Sequence, residues 1–205
     1  MRTERVQAFS DGIFAILITI LVLEFKVPSY VEGRLFSAIV HYWPVLFAYI
    51  LTYFYIGILW LFHHDVFQIL IKTTVKLNVL NLILIFFITL LSFSMSLLGE
   101  SMRTLNTNDL QVSCYIYTFL ALMISLIFLL IYNYIFKNPE LIEQKISLEH
   151  LKKKQKYPIL SIFIYCLAFV FTYFNVFLGL LFLVLGIINH GIAYARISSL
   201  TKNHS

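Results

Sequence analysis

The sequence predicts an all-α membrane protein with six transmembrane helices and cytoplasmic N- and C-termini. Three observations carry this. Hydrophobic residues make up 60% of the chain and charged residues only 12%, with a mean hydropathy of +0.88. Soluble domains carry roughly 25% charged residues, and so small a soluble core could not absorb this apolar surface, so lipid is the solvent. The apolar residues form long runs punctuated by Pro, Gly and charges. Lys and Arg sit in the short connections between runs, so the net charge of +5 reads as membrane orientation and not as a nucleic-acid surface.

The first span covers residues 9–27 and stops before Pro28, which cannot comfortably continue a helix. From Gly12 to Leu23 only Thr19 is polar, yet the run opens with Arg5, Ser10 and Asp11. It is too long for a cleaved leader and lacks an A-x-A site before Pro28, so it reads as a retained span. The second span covers 39–62, with Tyr42, Trp43 and Trp60 near its ends, where amphipathic aromatics favour the interface. The third covers 77–98 and closes on Gly99-Glu100; the fourth covers 112–136 and closes on Asn138-Pro139. The last forty apolar residues exceed one crossing of a ~30 Å core at ~1.5 Å per residue. Asn175 and Gly179 divide them into a hairpin, 158–173 and 176–197.

With this count and the N-terminus inside, cytoplasmic segments hold 12 Lys and Arg residues and outside loops hold 3, namely Lys26, Arg34 and Arg103. A five-span arrangement puts Arg196 and Lys202 outside and weakens the ratio to 10 against 5. In the 138–157 loop Leu141, Ile142, Ile146, Leu148 and Leu151 recur at helical spacing, and Glu149 and Lys153 form an i, i+4 pair. This loop reads as a surface helix presenting Lys152, Lys153, Lys154 and Lys156 to anionic lipid headgroups. No soluble domain and no duplication appear, so residues 1–205 form one six-span unit.

Enzymatic signatures are absent: no nucleophile–base set, no G-x-S-x-G, no Walker loop and no H-E-x-x-H. His63-His64-Asp65 would be the metal candidate, but neighbours on a helix point about 100° apart and do not converge. No cofactor is implied. Cys114 and Cys166 lie in separate apolar runs without metal or redox spacing, and no disulfide is inferred. The T-V-G-Y-G backbone filter is absent too. Gly12, Ile16, Thr19 and Leu23 are spaced 4, 3 and 4 and share one helical face, with Ile20 beside them. Around a symmetry axis that face would stack rings able to close a pore by dewetting, although lipid or a neighbouring helix would accept it equally well. Asn78, Asn81, Trp60 and His64 fall at the same depth as Arg5, Ser10 and Asp11, which makes an interhelical polar network plausible. Alternatively Ser10 or Asp11 caps a helix that starts near Gly12.

Arg5-x-x-x-Phe9-Ser10-Asp11-Gly12-x-Phe14-Ala15-Ile16 resembles the R-x-x-x-F-S-D signature of the transmembrane protein 175 family of potassium channels. Trp60-x-x-His63-His64 looks like that family's W-x-x-H-H. Asn78-x-x-Asn81-Leu82, Leu90-Leu91-Ser92-Phe93-Ser94 and Leu97-Leu98-Gly99-Glu100 look like its third helix. Relatives there commonly read L-L-P-F-P/S-T, so Ser92 and Met95 depart from the pattern. The motifs cover residues 5–100. The resemblance implies a homotetramer with the first helix of each subunit lining a central pore. It implies passive potassium conduction with modest preference over sodium. Ile16, Thr19 and Leu23, with Ile20 as an alternative ring, would form the constriction. Arg5, Ser10 and Asp11 would belong to the network that anchors the pore helix, for which shared depth offers Trp60, His64, Asn78 and Asn81 as partners. One repeat per chain, where lysosomal forms have two, favours a prokaryotic plasma membrane; the conduction expected of the chain is voltage-independent. The rival expectation is a small proton-coupled secondary transporter using Asp11 as its proton carrier; the lack of inverted repeats and of mid-span charges weighs against it.

Overall fold

The computed structural model describes residues 3–142 and 148–202, with side chains described over 3–142 and 155–195. It is helical throughout: α1 (Thr3–Ile20), α2 (Leu35–His41), α3 (Trp43–Gln68), α4 (Val75–Thr89), α5 (Leu91–Thr104), α6 (Thr107–Lys137), α7 (Leu148–Phe174) and α8 (Val176–Lys202). Six stretches of the described residues are long and apolar enough to cross a membrane: Thr3–Glu24, Trp43–Gln68, Val75–Thr104, Thr107–Lys137, Gln155–Phe174 and Val176–Ala195. The protein is therefore a multi-pass membrane protein.

The helix ends follow from local chemistry. Thr74 caps α4 by accepting from the Leu77 amide at 3.3 Å. The Asn106 side chain caps α6 through the amides of Asn108 and Asp109, and Asn175 caps α8 through those of Phe177 and Leu178. Leu105 takes the left-handed conformation, φ 55°, to leave α5. One residue, Leu90, separates α4 from α5, and both flanks carry hydroxyls bonded back to the helix. Thr89 donates to the Phe86 carbonyl at 2.7 Å and Ser94 to that of Leu91 at 3.0 Å. Such back-bonding competes with the helical ladder and bends it.

Several expectations change in detail. α1 begins at Thr3 and runs unbroken past Ser10 and Asp11, so neither residue is an N-cap: Ser10 is buried and donates to the Val6 carbonyl at 2.9 Å. Residues 35–41 form a separate short helix with no buried residue, and the chain turns at Tyr42 before Pro44 opens α3. α7 starts upstream of Pro158 and carries it inside the helix. Leu141 and Ile142 are not on a surface helix. They are buried, Ile71 N donates to Leu141 O at 2.9 Å, and Leu70 bridges Ile142, so the α3–α4 and α6–α7 connections are tied together. The side chains of Lys152, Lys153, Lys154, Arg196 and Lys202 lie outside the described residues.

The long α6 forms the middle of the bundle, with Tyr117, Ala121, Ile124, Ile131 and Ile135 fully buried. α4, α5, α7 and α8 pack around it, and α3 packs against α1, α5 and α8. Gly99 lets α5 approach α3: a Cβ there would lie 2.9 Å from Val45 Cα. α1 packs mainly against α3, with a smaller contact to α4.

Candidate functional site at the first helix

α1 divides into two faces. Thr3, Val6, Ser10, Phe14 and Leu17 are buried, continued by Leu21 in the 3₁₀ turn Leu21–Glu24. Their 3–4 spacing is one helical stripe. Gly12, Ala15, Ile16, Thr19, Ile20 and Leu23 lie on the other side and are uncovered within the subunit. Ile16 is 59% exposed and Leu23 77%, both in a stretch that lacks polar side chains apart from Thr19. The Thr19 hydroxyl donates back to its own helix, at 3.0 Å to the Ala15 carbonyl and 2.9 Å to that of Ile16. Its oxygen lone pairs stay on the uncovered face.

The buried stripe is joined to its neighbours by polar contacts. In one set, His63 Nε2 lies 2.7 Å from Asn81 Oδ1, and Asn81 Nδ2 donates to Ser10 Oγ at 2.9 Å. Ser10 passes its own proton to the Val6 carbonyl, so the order of donors is settled: His63 to Asn81 to Ser10 to backbone. All three side chains are at most 1% exposed. His63 stacks on Phe67 with ring centroids 4.3 Å apart and meets Phe14 at 5.4 Å. These contacts clamp α1, α3 and α4 around one buried imidazole.

The second set is wetter. Trp60 Nε1 donates to Asp11 Oδ1 at 2.9 Å. His64 Nδ1 is 3.8 Å from Asp11 Oδ2 and 3.1 Å from Gln7 Nε2. Both Asp11 and His64 have about a third of their side chains uncovered by the subunit, 33% and 39%. Gln7 donates when His64 Nδ1 is bare, and its flipped amide oxygen accepts when Nδ1 carries the proton.

The structure thus brings Ser10 to Asn81, and Asp11 to Trp60 and His64. Asn78 is half-buried one turn before Asn81 on α4. Arg5 is exposed and makes no ion pair within the described residues of the subunit. His63 and Gln7 belong to the site although sequence reasoning did not choose them. The signal for His63 was available: 100° between adjacent residues sends one histidine of a pair inward when the other faces Asp11. No equivalent signal marked Gln7.

The chain is a six-helix membrane bundle whose first helix is anchored by polar contacts at one end and left bare by its own subunit on one apolar face. The sequence pattern described as endosomal/lysosomal potassium channel TMEM175 matches residues 5–91. A potassium channel of Chamaesiphon minutus is 30% identical over 180 residues, covering 86% of this chain and 87% of that protein. A potassium channel of Streptomyces collinus is 34% identical over 122 residues, 59% of each chain, so the match spans under two thirds of that relative's length. The crystal structure of a lysosomal potassium-selective channel TMEM175 homolog from Chamaesiphon minutus superposes with a TM-score of 0.81 at 27% identity, over 94% of this chain and 97% of that one. The chain belongs to the TMEM175 family.

Proposed function

We propose that the protein is a passive, voltage-independent cation channel that conducts potassium in modest preference to sodium, assembled as a homotetramer in a prokaryotic plasma membrane. Both termini are cytoplasmic, and α1 of each subunit lines the central pore. Ile16 and Leu23 form apolar constrictions, with Ile20 between them. Thr19 supplies oxygens that help replace hydration. Arg5, Ser10, Asp11, Trp60, His64, Asn78 and Asn81 anchor the cytoplasmic half of the pore helix, Arg5 across the subunit boundary. Anionic lipid headgroups meet Lys152–Lys156. Ions are the cargo, and the chain performs no covalent chemistry.

One observation carries this reading. The face holding Ile16, Thr19 and Leu23 is left bare by its own subunit, while the opposite face is packed and hydrogen-bonded. A fourfold arrangement turns that bare stripe into stacked rings, where branched apolar side chains gate by dewetting. The named relatives, both potassium channels, agree with the ion.

Flux from liposomes tests it. A potassium gradient is imposed, a proton ionophore reports the compensating current, and sodium is run in parallel with Ile16→Asn. The expected result is non-saturating potassium flux above sodium flux, with Ile16→Asn raising leak or loosening selectivity. A folded tetramer that passes neither ion removes the channel reading.

A further inference from the structure

Glu24 ends the 3₁₀ turn that follows α1, directly after Leu23. Its two carboxylate oxygens accept from two serines one turn apart on α5, Ser92 at 3.3 Å and Ser96 at 2.6 Å. The shorter contact falls in the range of charge-assisted O–H···O⁻ bonds. Leu21 is fully buried behind this turn, whereas Val22 and Leu23 stand exposed on its other side. The chain beyond is held by Phe25 against Tyr49, ring centroids 4.8 Å apart, and by the Lys26 amide on the Tyr42 hydroxyl at 3.3 Å. Beside the carboxylate lies a cleft of about 430 Å³ that Glu24, Lys26, His41, Ser96, Glu100 and Arg103 help to line. Glu100 and Arg103 pair with each other there, leaving Glu24 to the serines.

We propose that Glu24 is a positioning residue whose bonds to Ser92 and Ser96 draw the outer turn of α1 back against α5 and hold Leu23 off the pore axis. This rests on the reading that α1 lines the pore. The geometry sets the direction of the effect. The serines lie on the subunit side of α1 and Leu23 on its bare side, so the tether and the leucine pull oppositely on one turn. With the tether cut, the turn leans toward the axis, the apolar ring narrows and the constriction dries. The cleft keeps water beside the bond, so the tether can break and re-form without stranding a buried charge.

The test is potassium flux from liposomes holding wild type, Glu24→Ala, Glu24→Gln, Ser92→Ala/Ser96→Ala and the triple variant, each checked for tetramer content. Glu24→Ala and the double serine variant each remove both bonds and are expected to cut flux by at least about tenfold, the low end for hydrogen bonds to a charged group. The triple variant falls no further, since all three residues serve one interaction. Glu24→Gln keeps an acceptor and retains most of the flux. The double serine variant leaves the carboxylate in place and decides the matter if Glu24→Ala fails to assemble. Wild-type flux in the double serine variant overturns the tether. So does a Glu24→Ala loss that disappears in ~1 M salt, where screening to ~3 Å marks long-range attraction of cations. An inactive wild type removes the channel reading itself; an active wild type with unaffected variants removes only the tether.

Discussion

Trp60 donates its indole N–H to the Asp11 carboxylate across 2.9 Å, joining α3 to α1 where both still reach water. Replacing Trp60 by Phe keeps the ring and deletes the donor. The expected loss is about 1–2 kcal/mol, the low end for a bond to a charged group at a partly solvated site. Thermal unfolding in detergent, read by retention of the assembled peak on size exclusion, measures it. Asp11→Asn retains an acceptor for the indole and should lose less than Asp11→Ala; equal losses would show that the Trp60 bond is not what Asp11 contributes.

Asn81 stands fully buried between His63 and Ser10, so its loss orphans a donor and an acceptor together. Asn81→Leu is expected to cost roughly 2–5 kcal/mol, the desolvation of two groups left unpaired. Ser10→Ala leaves the buried Asn81 amide N–H without its acceptor and should cost about 1–3 kcal/mol. The double variant should be less than additive, because Ser10 is already without its amide partner in Asn81→Leu. Additive losses in thermal or denaturant unfolding would contradict a connected chain.

Thr52 and Tyr117 share a 2.8 Å hydrogen bond at full burial, but Thr52 also bonds the Ala48 carbonyl at 2.8 Å. The Thr52 hydroxyl donates to the carbonyl, so Tyr117 is the donor between the side chains. Tyr117→Phe leaves Thr52 satisfied and should cost about 1 kcal/mol or less. Thr52→Val strands the phenol and should cost about 1–3 kcal/mol. The order of the two unfolding midpoints is the readout, and the reverse order would refute the donor assignment.

Gly179 and Gly186 let α8 lie close to α7. A Cβ at 179 would lie 2.8 Å from Thr172 Cα, a backbone atom that cannot swing aside. At 186 the obstacle is the Tyr165 ring, with Cζ at 2.8 Å. Gly179→Ala is expected to part the hairpin near Asn175 and cost about 1–3 kcal/mol, as overpacking does. The Gln111 bond to the Thr172 carbonyl, 2.9 Å, sits beside that obstacle. Hydrogen exchange at the start of α8 should rise in Gly179→Ala, and unchanged protection there would exclude the clash.

Much of this architecture could be read from residue order because lipid simplifies the problem. A run such as 112–136 has no other way to satisfy its backbone than a spanning helix, and Asn175 announces a cap between two apolar stretches. The meeting of Asp11 with Trp60 was legible only as a shared depth at one end of the bundle, with no signal for the direct bond. Other features depend on contacts far apart in the chain. Helix geometry makes His63 and His64 diverge, but which of them turns inward follows only once the other is placed against Asp11. The independence of residues 35–41 comes from the turn at Tyr42, and the bend at Leu90 from hydroxyls that could equally have faced neighbours. Glu24 reads as an interfacial charge until α5 is seen to place two serines beside it. Leu141 and Ile142 looked like membrane-surface residues because their burial depends on backbone pairing with the α3–α4 connection.

The one-way order of donors from His63 through Asn81 to Ser10 makes the inner half of α1 a key cut for a single lock. Turning the helix by one residue, about 100°, would present Phe9 or Asp11 to the Asn81 amide; sliding it by one turn, about 5.4 Å, would offer Val6 or Phe14. None of these settings has a neutral hydroxyl that can accept a hydrogen bond from the Asn81 amide and donate one to a carbonyl. Piston and screw motions of the whole helix are thereby penalised, and the degrees of freedom that survive are flexing and tilting beyond Phe14. The inner half of α1 is thus registered by hydrogen bonds, while the outer half is seated by the packing of Leu17 and Leu21 and by the carboxylate of Glu24.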